Sequence, residues 1–117
     1  MVGDMSKLNS RSSKPIPVQR AVKKMGQDIR DARIRRRLPI ALVAERAGIS
    51  RVTLFKLEKG ELGVSIGILG SVLLALNLLD RLQNLVDAQN DSLGRMLEEE
   101  RLPQRIRREK QRSKDKE

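Results

Sequence analysis

The stretch from Pro39 to Gly60, PIALVAERAGISRVTLFKLEKG, constrains the fold more than any other. It reads as two short helices, Ile40–Ala47 and one starting after Ser50, with almost no chain between them. Pro39 stops a preceding helix and opens the next at its first position. Val43, Ala44 and Ala47 are spaced to face inward, and small Ala44 lets two helices approach closely. Gly48 is free to take the positive φ of a helix end, Ile49 anchors the corner, and Ser50 is a good N-cap. At about 100° per residue, Leu54 and Leu57 of the following helix point one way. Val52, Lys56 and Lys59 point the other, with Arg51 and Phe55 flanking. A helix held out by such a tight turn offers its N-terminal end to a groove of DNA.

The flanking chain reads as support and as basic arms. Residues 1–20 hold few apolar side chains and the close prolines Pro15 and Pro17, so they are expected to be a disordered basic arm. Val22, Met25, Ile29 and Ala32 recur at helical spacing and predict a first helix over 21–37, with Gly26 near its N-terminal boundary. Its outer face is basic and ends in Arg35, Arg36 and Arg37. After a loop at Gly60–Val64, Ser65 caps a fourth helix, about Ile66–Leu76. That helix is apolar nearly all round, with Ile66, Leu69, Leu73 and Leu76 facing the core and a second face that predicts burial on both sides.

Asp80 is expected to cap a fifth helix carrying Leu82, Leu85 and Val86. A sixth element, about Ser92–Glu100, carries Leu93, Met96 and Leu97. These two stripes are either ordinary packing or surface for a second copy or another partner. Leu102-Pro103 ends regular structure, and 104–117 is a basic tail expected to be disordered alone. The expected domains are thus an arm at 1–20, a DNA-binding unit at 21–88, a helical extension at 89–103 and the tail.

Composition narrows the function classes. The 117 residues hold 25 Lys and Arg against 15 Asp and Glu, a net charge of +10, which favours a polyanionic partner. No Cys and no His are present, so the usual zinc, iron–sulfur and disulfide designs and the commonest general base are missing. No catalytic residue, metal or cofactor is expected. Phe55 is the one aromatic residue, whereas platforms for single-stranded bases use several; the expected nucleic acid is double-stranded DNA. No apolar leader is evident near Met1, and Ile66–Leu79 is too short and too interrupted to span a bilayer. A cytoplasmic, nucleoid-associated protein is expected.

Leu38 through Gly60, with Ala44-Glu45, Ala47-Gly48-Ile49-Ser50-Arg51, Thr53-Leu54 and Leu57-Glu58-Lys59-Gly60, resembles the Xre/Cro-type helix-turn-helix of phage repressors and bacterial regulators. The likeness extends over about residues 24–80. It implies an all-α, compact five-helix lambda-repressor-like DNA-binding domain, here with an extra C-terminal helix and basic arms. It also implies homodimers on a pseudo-palindromic operator and transcriptional repression. By position, Arg51, Val52, Phe55 and Lys56 fall where the family reads bases, and Ser50 and Thr53 where it meets phosphate. Lys59 joins them on the outer face, and Arg33 and Glu58 match a partly buried ion pair.

One position departs from the family. Ile40 stands where a Gln often contacts phosphate and braces the reading helix, which moves phosphate anchoring toward Arg35, Arg36 and Arg37 or the arms. Val64-Ser65-Ile66, the apolar fourth helix and the Leu-Pro-Gln-Arg tail also resemble, more weakly, HipB-like antitoxins. That resemblance implies a HipA-like toxin as partner. A third reading is a nonspecific binder of nucleic acid or membrane surface driven by charge alone.

Overall fold

The structure, a computed structural model, describes residues 14–100. Residues 1–13 of the arm expected over 1–20, the end of regular structure expected at Leu102-Pro103, and the tail over 104–117 lie outside the described residues. All regular structure within 14–100 is helical: α1 (Ile16–Arg35), α2 (Ile40–Ala47), α3 (Arg51–Glu58), α4 (Ile66–Ala75), α5 (Leu79–Gln83), a single 3-10 turn (Ala88–Asn90) and α6 (92–100). The chain divides into two compact units, one ending at Leu79 and one beginning at Asp80.

α1 begins at Ile16, not at 21. Pro15 and Pro17 were expected to mark an unstructured arm, but they sit at the N-cap and in the first turn. There a missing N–H costs nothing, because the first-turn donors have no intrahelical acceptor in any helix. The Pro15 carbonyl accepts from the backbone N–H groups of Val18 and Gln19 at 3.0 and 3.1 Å, which closes the first turn. Gly26 is likewise no boundary. It lies buried in mid-helix beside Ile29, Ala32 and Arg33, while Met25 is exposed.

Each of α1 to α4 ends in the same reversal. A residue with positive φ follows the last turn: Arg37 (55°), Gly48 (68°), Gly60 (76°) and Asn77 (61°). The next N–H then reaches back across the turn, from Leu38 to the Arg33 carbonyl, Ile49 to Ala44, Glu61 to Lys56 and Leu78 to Leu73, at 2.7–3.1 Å. These bonds satisfy carbonyls that the helix ends would leave without partners. They also point Leu38, Ile49 and Leu78 back at the core, against which all three pack. Pro39 is the N-cap of α2 rather than its first helical residue.

The core of the first unit is Ile29 and Ala32 from α1, Val43 and Ala44 from α2, Leu54 and Leu57 from α3, and Val72 with Leu76 from α4 and its end. α2 packs on both α3 and α4, and α1 packs on α3. Ser65 caps α4 by accepting the Ile68 N–H at 3.1 Å. The expected burial of α4 on both faces is not observed. Val72 replaces Ile66 on the core face, Ile66 is 71% exposed, and Leu74 is also exposed. With ten residues and only one covered side, α4 keeps an apolar outer face that the first unit does not use.

α5 spans only Leu79–Gln83, so Leu85 and Val86 lie in the following turn instead of on a helical stripe. Asp87 accepts the Gln89 N–H at 2.8 Å, and Asp91 accepts the Gly94 N–H at 3.0 Å at the start of α6. None of residues 80–100 is buried, and Leu85, Val86, Leu93, Met96 and Leu97 are exposed.

Candidate nucleic-acid interface

The outward helix α3 is fixed at both ends. At its start, Ser50 Oγ accepts the Thr53 N–H at 3.1 Å and lies 2.8 Å from Thr53 Oγ1. Ser50 thus caps the helix, a contact typically worth about 1 kcal/mol, and the Thr53 hydroxyl bonds the capping oxygen. At its end, α3 meets the backbone of α1 with nothing between. A Cβ at Gly26 would lie 2.5 Å from the Leu57 carbonyl oxygen, 2.7 Å from that of Glu58 and 2.8 Å from the Gly60 nitrogen. A Cβ at Gly60 would lie 2.5 Å from Lys23 Cα. Two glycines, one on each partner, make this approach possible.

An ion pair locks the same contact. Arg33 Nε donates to Glu58 Oε2 at 2.7 Å and Nη2 to Oε1 at 3.0 Å, while Nη1 donates to the Leu38 carbonyl at 3.1 Å. The two residues are 8% and 6% exposed, so the pair is more enclosed than the partly buried one expected. Glu58 ends α3, where the helix dipole disfavours a negative charge; the guanidinium offsets that and the lost hydration together. No buried side-chain nitrogen or oxygen among the described residues lacks a hydrogen-bond partner.

With Leu54, Leu57 and Glu58 turned inward, Arg51, Val52, Phe55, Lys56 and Lys59 are left exposed. Val52 is 63% and Phe55 49% exposed, which puts two apolar side chains on a helix face that is otherwise basic. Lys59 Nζ sits 4.5 Å from the centre of the Phe55 ring, a cation–π contact on the helix surface.

The approach of α1 to α3 also creates a cleft that the sequence does not announce. Lys23, Lys24, Gln27 and Arg30 of α1 face Phe55 and Lys59 of α3, with Ile40 at one side and the Arg33–Glu58 pair at the floor. Its volume is about 660 Å³. Lys24 bonds Asp28 at 2.7 Å, and that hydrogen bond, followed by the carboxylate's charge, holds its ammonium above the usual lysine range. The cleft places a cationic wall directly beside α3.

Arg35, Arg36 and Arg37 lie instead at the C-terminal end of α1 and do not line this cleft. All three are exposed, and Arg36 Nη1 bonds the Ala32 carbonyl at 3.0 Å. The signal that distinguishes the two basic groups was faint. Lys23, Gln27 and Arg30 share one helical stripe, but only the position of Gly26 hints at which stripe meets α3.

A second, smaller groove runs between the start of α2 and α3, lined by Ile40, Ala41, Arg51, Val52 and Phe55. Ile40 therefore does not leave a gap at the position where the resemblance implies a Gln. It packs against the core and contributes apolar surface next to Val52 and Phe55.

Residues 29–80 match the family model described as helix-turn-helix, a span running from within α1 to the start of α5. The match agrees with the Xre/Cro-type resemblance carried by Leu38–Gly60. No curated protein matches the chain. No helix of the described residues is long and apolar enough to cross a membrane.

Proposed function

We propose that the DNA-binding helix-turn-helix domain at residues 29–80 serves a sequence-specific transcriptional repressor acting as a dimer on a pseudo-palindromic operator. One observation carries the reading: α3 is locked from behind by Leu54, Leu57 and Glu58 while Arg51, Val52, Phe55 and Lys56 stand free. In the major groove, Arg51 or Lys56 bonds guanine O6 and N7, and Val52 and Phe55 meet apolar base edges. Lys23, Arg30 and Lys59 take the flanking phosphates, with Ser50 and Thr53 at the helix start. Arg35, Arg36 and Arg37 are assigned only to more distant backbone. The helix-turn-helix is a DNA-binding regulator module rather than an enzyme, and the reading needs no cofactor. It places the protein in the cytoplasm with the nucleoid.

Dimerisation draws on the apolar outer face of α4, where Ile66 and Leu74 are exposed. The test of base reading is Arg51→Ala, assayed on the cognate operator and on random DNA of equal length. A base contact of this kind is worth about 1–3 kcal/mol, so operator affinity falls while random-DNA affinity holds. Equal loss on both makes Arg51 a phosphate contact and ends that assignment.

A second reading, capture of a HipA-like toxin, rests on Leu93, Met96 and Leu97, exposed together on α6. Removing 92–117 should then abolish co-purification with a toxin encoded nearby and leave operator binding in place. Retained capture sinks that reading.

A further inference from the structure

The groove formed by Ile40, Ala41, Arg51, Val52 and Phe55 is a shallow, open recess of about 420 Å³ on the face of α3 that stands free of the core. Four of its five lining residues are apolar, and the fifth, Arg51, places a guanidinium at the same opening. Hydrogen-bonding edges and phosphates are recognised by polar side chains, and nothing polar lines the Ile40 side of this groove. The apolar feature that the major groove of DNA presents is the C5-methyl group of a pyrimidine, carried by thymine or by 5-methylcytosine. Val52 is β-branched and so restricted at χ1, and Lys59 lies 4.5 Å from the centre of the Phe55 ring, which together limit the side-chain freedom lost when a methyl group enters.

We propose that this groove is a methyl-reading subsite, in which Ile40, Val52 and Phe55 together select pyrimidines that carry a C5-methyl group. Ile40 is thereby a specificity residue and not the loss of a phosphate contact. The inference rests on the reading of α3 as the base-reading helix. In unmodified DNA the methyl group is that of thymine, and two such groups fit most readily where thymines follow one another on one strand. Arg51 at the rim bonds the neighbouring base, so methyl reading and guanine reading fall on adjacent positions.

The experiment starts from the duplex that the full-length protein selects out of random DNA. Each thymine of both half-sites is replaced in turn by deoxyuridine, which removes the methyl group and keeps every hydrogen-bonding atom. Burying one methyl group corresponds to about a fourfold change in affinity, and about fifteenfold when both half-sites are changed. The expected result is a loss of that size at one or two positions per half-site and none elsewhere. In Val52→Ala and Ile40→Ala the same substitution should cost little, because the groove no longer closes on the methyl group. Val52 is a surface residue, so its variant stays folded even where that of Ile40 does not.

A thymine-to-cytosine change at the sensitive position should weaken binding, and 5-methylcytosine should recover part of it. Tighter binding to 5-methylcytosine than to thymine identifies methylated DNA as the natural source and still supports methyl reading. If deoxyuridine binds like thymine at every position while Arg51→Ala loses the selected site, base reading stands and the methyl subsite is overturned. If no sequence is selected at all, the base-reading assignment and this inference fall together.

Discussion

Replacing Glu58 with alanine should do more damage than any exposed charge change in the molecule. Arg33 gives two of its hydrogen bonds to Glu58 and a third to the Leu38 carbonyl, all at 2.7–3.1 Å. Without the carboxylate, a guanidinium that is 8% exposed keeps its charge, loses its counter-ion and retains one of the three bonds. Breaking a buried pair from one side costs about 3–5 kcal/mol. For a unit of this size each 1 kcal/mol lowers Tm by about 4–8 °C, so even the lower figure implies a drop of about 12 °C or more. That is a large share of the about 5–15 kcal/mol that holds a typical domain together. Urea unfolding followed by far-ultraviolet circular dichroism measures the loss directly. Arg33→Ala should cost a similar amount, and Arg33→Met with Glu58→Leu should recover most of it, because a well-packed apolar pair replaces a buried ion pair with little penalty. A loss below about 1 kcal/mol in Glu58→Ala, the size seen for exposed pairs, would refute the view that this pair fixes α3 on α1.

Three further outcomes test other parts of the structure. Gly26→Ala should destabilise by about 1–3 kcal/mol despite the gain in helix propensity, because its Cβ would meet three backbone atoms that cannot swing aside; an unchanged urea midpoint contradicts the close contact. Arg37→Gly should leave stability unchanged or raise it by up to about 1 kcal/mol, since Arg37 holds a left-handed φ of 55° that glycine adopts freely; a clear loss would mean the Arg37 side chain matters to the fold. Lys23→Gln with Arg30→Gln should lower the slope of log affinity against log salt by up to about 2, whereas the same change at Arg35 and Arg36 should leave it nearly unaltered; the reverse pattern returns phosphate anchoring to the end of α1.

The sequence was most informative where the physics is local. Gly48, Ile49 and Ser50 announce a helix end, an anchor and a cap within three positions, and the structure builds that turn from them. Ser65 announces its cap in the same way. What stayed hidden depends on distant partners. Gly26 looked like a helix boundary, because nothing near it in the chain reveals the carbonyls of Leu57 and Glu58 against it. Pro15 and Pro17 read as breakers, although at a helix start their missing N–H groups are harmless.

The apolar excess of α4 gave no register, so Ile66 was placed inward where Val72 belongs. The basic residues all round α1 gave little sign that Lys23 and Arg30, rather than Arg35–Arg37, line the cleft beside α3. Leu85 and Val86 fitted a helical period, but α5 stops at Gln83.

The central claim is that α3 reads bases and does so in pairs. Repeated selection of random-sequence duplex DNA by the full-length protein at physiological salt tests it most directly. The expected result is enrichment of a pseudo-palindrome whose half-site centres lie about 10–10.5 base pairs, or a multiple of that, apart. A pool that remains random after selection, with binding governed by salt concentration alone, would contradict it.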